Sequence, residues 1–155
     1  MDCPEKVAEW VIQWCAPDAM DIAAIGQAIA SQLAKLGLII HPGELYGLSD
    51  GDWERVEGVS EEQLAEIKQQ LDRSKPANSS ALIYGFRIKG VDQRLAKRLG
   101  EEFTSISKLQ ETKPDHLTTI EGIGEESASA IRRWFRDSFN KKMLKMLERE
   151  GFNLD

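Results

Sequence analysis

Near the end of the chain, Ile120-Glu121-Gly122-Ile123-Gly124 runs directly into a helix-like apolar period that continues to Phe135. The first N–H groups of a helix have no partner inside it, and the helix dipole makes that end electropositive. Glycines placed there leave those groups uncovered, which suits either a tight turn or an approaching anion such as a phosphate. In the anion reading Gly122 supplies a positive φ, Ile123 packs beneath the bend, and Gly124 lets a phosphate oxygen reach the main chain.

Three relatives of this pentapeptide lie upstream: Ile22-Ala23-Ala24-Ile25-Gly26, Val56-Glu57-Gly58-Val59-Ser60 and Ile88-Lys89-Gly90-Val91-Asp92. Their last residues fall at 26, 60, 92 and 124, spacings of 34, 32 and 32, and near-constant spacing is the signature of a structural repeat. The residues expected to meet phosphate are Ile25 and Gly26; Gly58, Val59 and Ser60; Lys89, Gly90, Val91, Arg94 and Lys97; and Gly122, Ile123, Gly124, Ser127, Arg132 and Arg133. The four bends are not equal. The fourth is the strongest candidate, with Lys141, Lys142 and Lys145 following it. In the third, Asp92 replaces the last glycine and would repel a phosphate. In the second, Ser60 with Gln63 is a capping box among Glu57, Glu61 and Glu62, so a purely structural turn is favoured. The first keeps Gly26 but has Ala24 where the others have glycine.

Little other chemistry is present. No Ser-His-Asp set, paired carboxylates or phosphate-binding loop stands out. His41 and His116 have no carboxylate or cysteine at ligand spacing and read as surface histidines; Trp10, Trp14, Trp53 and Trp134 read as core. Cys3 and Cys15 are too few for a disulfide framework or a four-ligand zinc site. With a net charge of −6 the whole chain argues against nucleic acid, but residues 1–80 carry 6 basic and 14 acidic side chains while residues 81–149 carry 14 and 10. That asymmetry makes the second half the one to meet a polyanion. No apolar run is long enough to span a membrane and no signal peptide is visible, so the expected location is cytoplasmic, with no membrane partner.

The elements that must hold these bends are helices. Apolar or small residues recur four and seven places after each bend (Ala30 and Leu33, Leu64 and Ile67, Ala96 and Leu99, Ala128 and Ile131), giving one buried stripe per unit. Val7, Trp10, Val11 and Trp14 mark an N-terminal helix, and a last helix is expected from about Asn140 to Glu150. The polar stretch Asp72 to Ser80 reads as a hinge. The expected fold is therefore all-α: four tandem helix-hairpin-helix motifs in two pseudo-symmetric pairs, residues 19–75 and 76–155, after an N-terminal helix in residues 1–18.

Tandem units at this spacing resemble the four-motif DNA-binding domain of the NAD⁺-dependent bacterial DNA ligases. The similarity includes Ala19-Met20-Asp21-Ile22, Leu45-Tyr46-Gly47-Leu48, Leu82-Ile83-Tyr84-Gly85-Phe86-Arg87-Ile88 and Gly151-Phe152-Asn153-Leu154. Cys3 falls where that family has the last cysteine of a four-cysteine zinc finger. The other three are missing, so the resemblance implies a remnant of the finger junction in residues 1–18 and no metal. No lysine sits in the family's Lys-x-Asp-Gly context. The resemblance thus implies a fragment or stand-alone relative that is not an enzyme by itself. NAD and zinc are expected only in a full-length parent. The expected partners are duplex or nicked DNA and other ligase domains, at the bacterial nucleoid, during nick sealing in replication and repair, with contact to backbone phosphates and no sequence preference. The alternative is a protein-interaction scaffold built from degenerate units with little affinity for DNA.

Overall fold

A computed structural model describes residues 3–155. It contains ten α-helices and no strand among the described residues. They are α1 (Pro4–Cys15), α2 (Gln27–Lys35), α3 (Asp50–Glu54), α4 (Glu61–Ser74), α5 (Ser79–Gly85), α6 (Gln93–Glu102), α7 (Ile106–Glu111), α8 (Pro114–Leu117), α9 (Glu125–Arg136) and α10 (Ser138–Arg149), with a 3-10 helix at Pro42–Gly47. The predicted last helix is present and begins two residues earlier, because the Asp137 carboxylate accepts from the Phe139 and Asn140 amides and starts it there.

Most helix starts are fixed by such side chains. Ser49 with Asp52 and Ser60 with Gln63 form reciprocal capping boxes, and Asn78, Asp92 and Ser105 each accept one amide of the first turn. The apolar stripes then face inward. Leu33, Ile67, Leu99 and Ile131, the residues seven places past each bend, are buried.

One aromatic cluster joins the two halves. Trp14 of α1 is fully buried against Phe86 (ring centroids 6.3 Å apart), Phe152 (6.1 Å) and Tyr46 (6.4 Å). The Trp10 indole donates to the carbonyl of Gly85 (3.0 Å) and the Gln13 amide to that of Tyr84 (2.7 Å), so α1 supplies donors to carbonyls at the end of α5. Gly85 permits this approach: a Cβ there would lie 2.8 Å from the Trp14 ring. The N-terminal helix thus belongs to the core, as its tryptophans imply. The expected hinge is also built in. α4 continues to Ser74, whose buried hydroxyl shares a hydrogen bond with the Tyr46 hydroxyl (2.7 Å) and donates to the Leu71 carbonyl.

His41 corrects the sequence reading. It is buried between the 3-10 helix and α10, edge-on to Phe139 (5.5 Å), and its Nδ1 has no hydrogen-bond partner among the described residues. Flanking Ile39, Pro42, Gly43 and Leu45 are buried with it, so the apolar context of the neighbouring residues outweighs its own polarity. Burial lowers its pKa below the usual 6.5, against an opposing pull from the Glu44 carboxylate. The unfolded chain therefore takes a proton near pH 6.5 and the folded chain only at lower pH. Stability is full above that pH and falls as pH drops through it, by at most about 1.4 kcal/mol per pH unit. Urea midpoints at pH 7.5 and 5.5 should show this loss, and His41→Leu should remove it.

Candidate nucleic-acid interface

Each bend is set by its middle residues. Gly58, Gly90 and Gly122 have φ of +83°, +82° and +93°, the left-handed region that favours glycine. Ala24 stands at the matching place in the first bend and is not left-handed; there the positive φ is at Asp21 (54°). Asp21 and Arg87, the other left-handed non-glycine, both directly precede the first apolar residue of a bend. Bends two and four are entered instead from the short helices α3 and α8. The first and third units are thus alike, as are the second and fourth.

The aliphatic residues at the centre of the bends are anchors. Ile25, Val91 and Ile123 are buried, and their amides donate to the carbonyls of Ile22, Ile88 and Ile120 at 3.0–3.2 Å. Val59 is half-buried. In the first, third and fourth bends the amide of the anchor itself is thus already used.

The residues that follow the anchors divide the bends into two kinds. The caps Gly26 (φ −94°, ψ −172°), Ser60 (−77°, 169°), Asp92 (−86°, −176°) and Gly124 (−89°, −177°) share one extended backbone geometry that any residue can adopt. A Cβ on Gly26 or Gly124 would meet nothing within 4 Å. Neither backbone nor packing requires glycine there; its effect is to leave the first-turn amides of α2 and α9 without a side-chain cap. At Ser60 the hydroxyl accepts from Gln63 N–H and the Gln63 side chain accepts from Ser60 N–H, so this cap is closed on itself. At Asp92 the carboxylate accepts from Leu95 N–H (2.8 Å). The first and fourth bends are open; the second and third are closed.

The bends meet in twos. Gln32 of α2 bonds both main-chain groups of Glu57, and Gln70 of α4 accepts from the Ala24 amide, tying the first bend to the second unit and the second bend to the first. The third and fourth lie in near-two-fold contact: a Cβ on Gly90 would be 3.6 Å from Ser127 Oγ, and one on Gly122 would be 3.8 Å from Leu95 Cδ1. Ser127 and Leu95 are each the third residue past their cap.

Two shallow depressions flank this contact. One, about 500 Å³, holds Lys89, Gly90, Ser127 and Arg133 together with Glu125 and Glu126. The other, about 570 Å³, holds Arg94, Lys97 and Arg98 with Asp92, Glu101, Glu121 and Gly122. Of the residues expected at the site, Lys89, Gly90, Arg94, Lys97, Gly122, Ser127 and Arg133 line these depressions. Gly124 is exposed beside them. Arg132 is half-buried and lines neither; Gly26 and Gly58 are exposed in the other pair. Sequence reading left out the carboxylates of Glu121, Glu125 and Glu126, which crowd the fourth bend as Glu57, Glu61 and Glu62 crowd the second. It counts Arg98 with Lys89, Arg94 and Lys97 as positive charge of the third bend but does not place it among the contacts.

No group of histidine, cysteine or carboxylate side chains among the described residues could hold a metal ion. Cys3 is exposed; Cys15 is buried, and burial pushes its thiol pKa up to about 12. No helix among the described residues is long and apolar enough to cross a membrane.

The model of the helix-hairpin-helix motif family matches residues 81–144, the third and fourth bends with their helices. The chain is 31% identical over 153 residues to a DNA ligase of Pelotomaculum thermopropionicum, which covers 99% of this chain and 22% of that protein. A DNA ligase of Rubrobacter xylanophilus is 31% identical over 151 residues, 97% of this chain and 22% of its own length. One of Heliobacterium modesticaldum is 29% identical over 153 residues, with 99% and 23% covered. The chain spans about a fifth of the length of these relatives.

Proposed function

We propose that the chain is a helix-hairpin-helix domain of the DNA ligase family, and that it binds duplex DNA through backbone phosphates, without sequence preference, while the rest of a ligase seals nicks. The chain alone is a non-catalytic part of such an enzyme, matching only about 22% of each relative. NAD⁺-dependent adenylation, any zinc, and the roles in replication and repair at the bacterial nucleoid belong to the full-length protein. The domain's own contribution is to position DNA. Contacts to phosphate fix orientation and carry no sequence information.

The observation that supports this reading most is the pair of open caps at Gly26 and Gly124. Serine or aspartate there would close the cap, as Ser60 and Asp92 do on the same backbone. A phosphate oxygen is the ligand such amides favour, because the helix dipole adds to the N–H groups. In the second pair Lys89 and Arg133 are placed to neutralise neighbouring phosphates, with Arg94 and Lys97 on the other side of Gly90.

The test is the salt dependence of binding to a nicked duplex. If about four to six phosphates are contacted, log K falls against log[salt] with a slope of about −4 to −5. Two random duplex sequences should bind equally. No binding at low salt would sink the proposal in favour of the scaffold reading, for which the closed, acidic second bend is the most suitable surface.

A further inference from the structure

Bends three and four make near-two-fold contacts, yet they carry opposite charges at matching places. The second residue of each bend faces the other unit. In bend three it is Lys89, which lines a depression with Glu125, Glu126 and Arg133. In bend four it is Glu121, whose Oε2 lies 3.5 Å from the Arg98 guanidinium of α6. Arg94 and Lys97 line the same depression as this pair.

The bend does not need Glu121. Its shape depends on the left-handed Gly122 and the buried Ile123, and the matching places in the other bends hold Lys89, Glu57 and Ala23. The Glu121 side chain is 88% exposed and that of Arg98 44%, so water screens the pair and the tie between them is weak. A carboxylate opposite arginine offers the same kind of acceptor oxygens as a phosphate.

We propose that Glu121 is an internal stand-in for a backbone phosphate: it occupies Arg98 until DNA displaces it, which makes Arg98 a phosphate-binding residue of this domain. The inference rests on the DNA-binding reading above and adds a residue and an electrostatic brake to it. Glu121 lowers affinity twice, by occupying Arg98 and by repelling the incoming strand.

The test measures binding of a labelled nicked duplex at fixed low salt to the wild type, Glu121→Gln, Arg98→Gln, the double variant and Glu101→Gln. Glu101 lines the same depression and has no ion pair with Arg98, so it controls for net charge. Glu121→Gln is expected to tighten binding about threefold or more, and Arg98→Gln to weaken it by a similar factor. Adding Glu121→Gln to Arg98→Gln should then recover only the part due to repulsion, less than Glu121→Gln gains with Arg98 present, the coupling expected of partners in contact. Equal tightening by Glu121→Gln and Glu101→Gln, or by Glu121→Gln with and without Arg98, overturns the proposal, because net charge alone would then explain the gain. Failure of every protein to bind, wild type included, removes the DNA-binding reading and this inference together. Binding by the wild type without the coupling removes the inference alone.

Discussion

Gly124→Asp is expected to weaken binding to a nicked duplex at least about tenfold, or 1.4 kcal/mol, while leaving the domain as stable as before or slightly more so. The domain itself contains the comparison. Asp92 sits on nearly the same backbone angles as Gly124 and turns its carboxylate onto the amide three residues on. An aspartate at 124 has open space for its Cβ and should likewise accept from the Ser127 amide. The helix gains a cap worth a few tenths of a kcal/mol over glycine. The phosphate loses its donors and meets a negative charge. Asp92→Gly is the mirror experiment, with affinity rising about threefold and stability falling by a few tenths of a kcal/mol. Anisotropy titration with thermal melting separates the two effects. If Gly124→Asp binds as tightly as the wild type while folded, the open caps do not bind DNA.

Trp14→Ala should cost about 3–5 kcal/mol, the range for removing a large buried aromatic. Trp14 is fully buried among Phe86, Phe152 and Tyr46, and its indole donates to the Tyr46 hydroxyl (3.1 Å). The Tyr46 hydroxyl keeps Ser74 as a partner, so the loss is mainly cavity and contact. For a chain of this size each kcal/mol lowers the melting temperature by about 2–4 °C, giving a fall of about 6–20 °C. Because the cluster draws on both halves, melting should remain one transition that moves as a whole. A loss below about 1.5 kcal/mol, or two separated transitions, would show that the halves do not share this core.

The helical class and the bends were legible because both follow from local rules. Glycines at 58, 90 and 122 are required by a positive φ, and the apolar stripes repeat at helical spacing from each of them. What could not be read depends on contacts distant in sequence. Trp14 reads as core, but nothing near it in sequence indicates that its partners are Phe86 and Phe152. His41 looked exposed because its partner, Phe139, is on another helix. At the candidate site, the difference between open and closed caps is local and was partly visible in Ser60 and Asp92. The pairing of Arg98 with Glu121 joins separate units and needed the fold.

The bonds from α1 to the end of α5 have an implication for synthesis. As this segment leaves a ribosome, the face of α1 that bears Trp10 and Trp14 emerges before its partners at the end of α5 and beyond α10. The Gly85 carbonyl that accepts the Trp10 indole N–H follows 75 residues later, and Phe152 later still. Closing so long a loop is entropically costly and slow compared with forming a local bend. Until Gly85 and Phe152 have emerged, the nascent segment therefore carries an incompletely covered tryptophan face, a natural docking point for a chaperone.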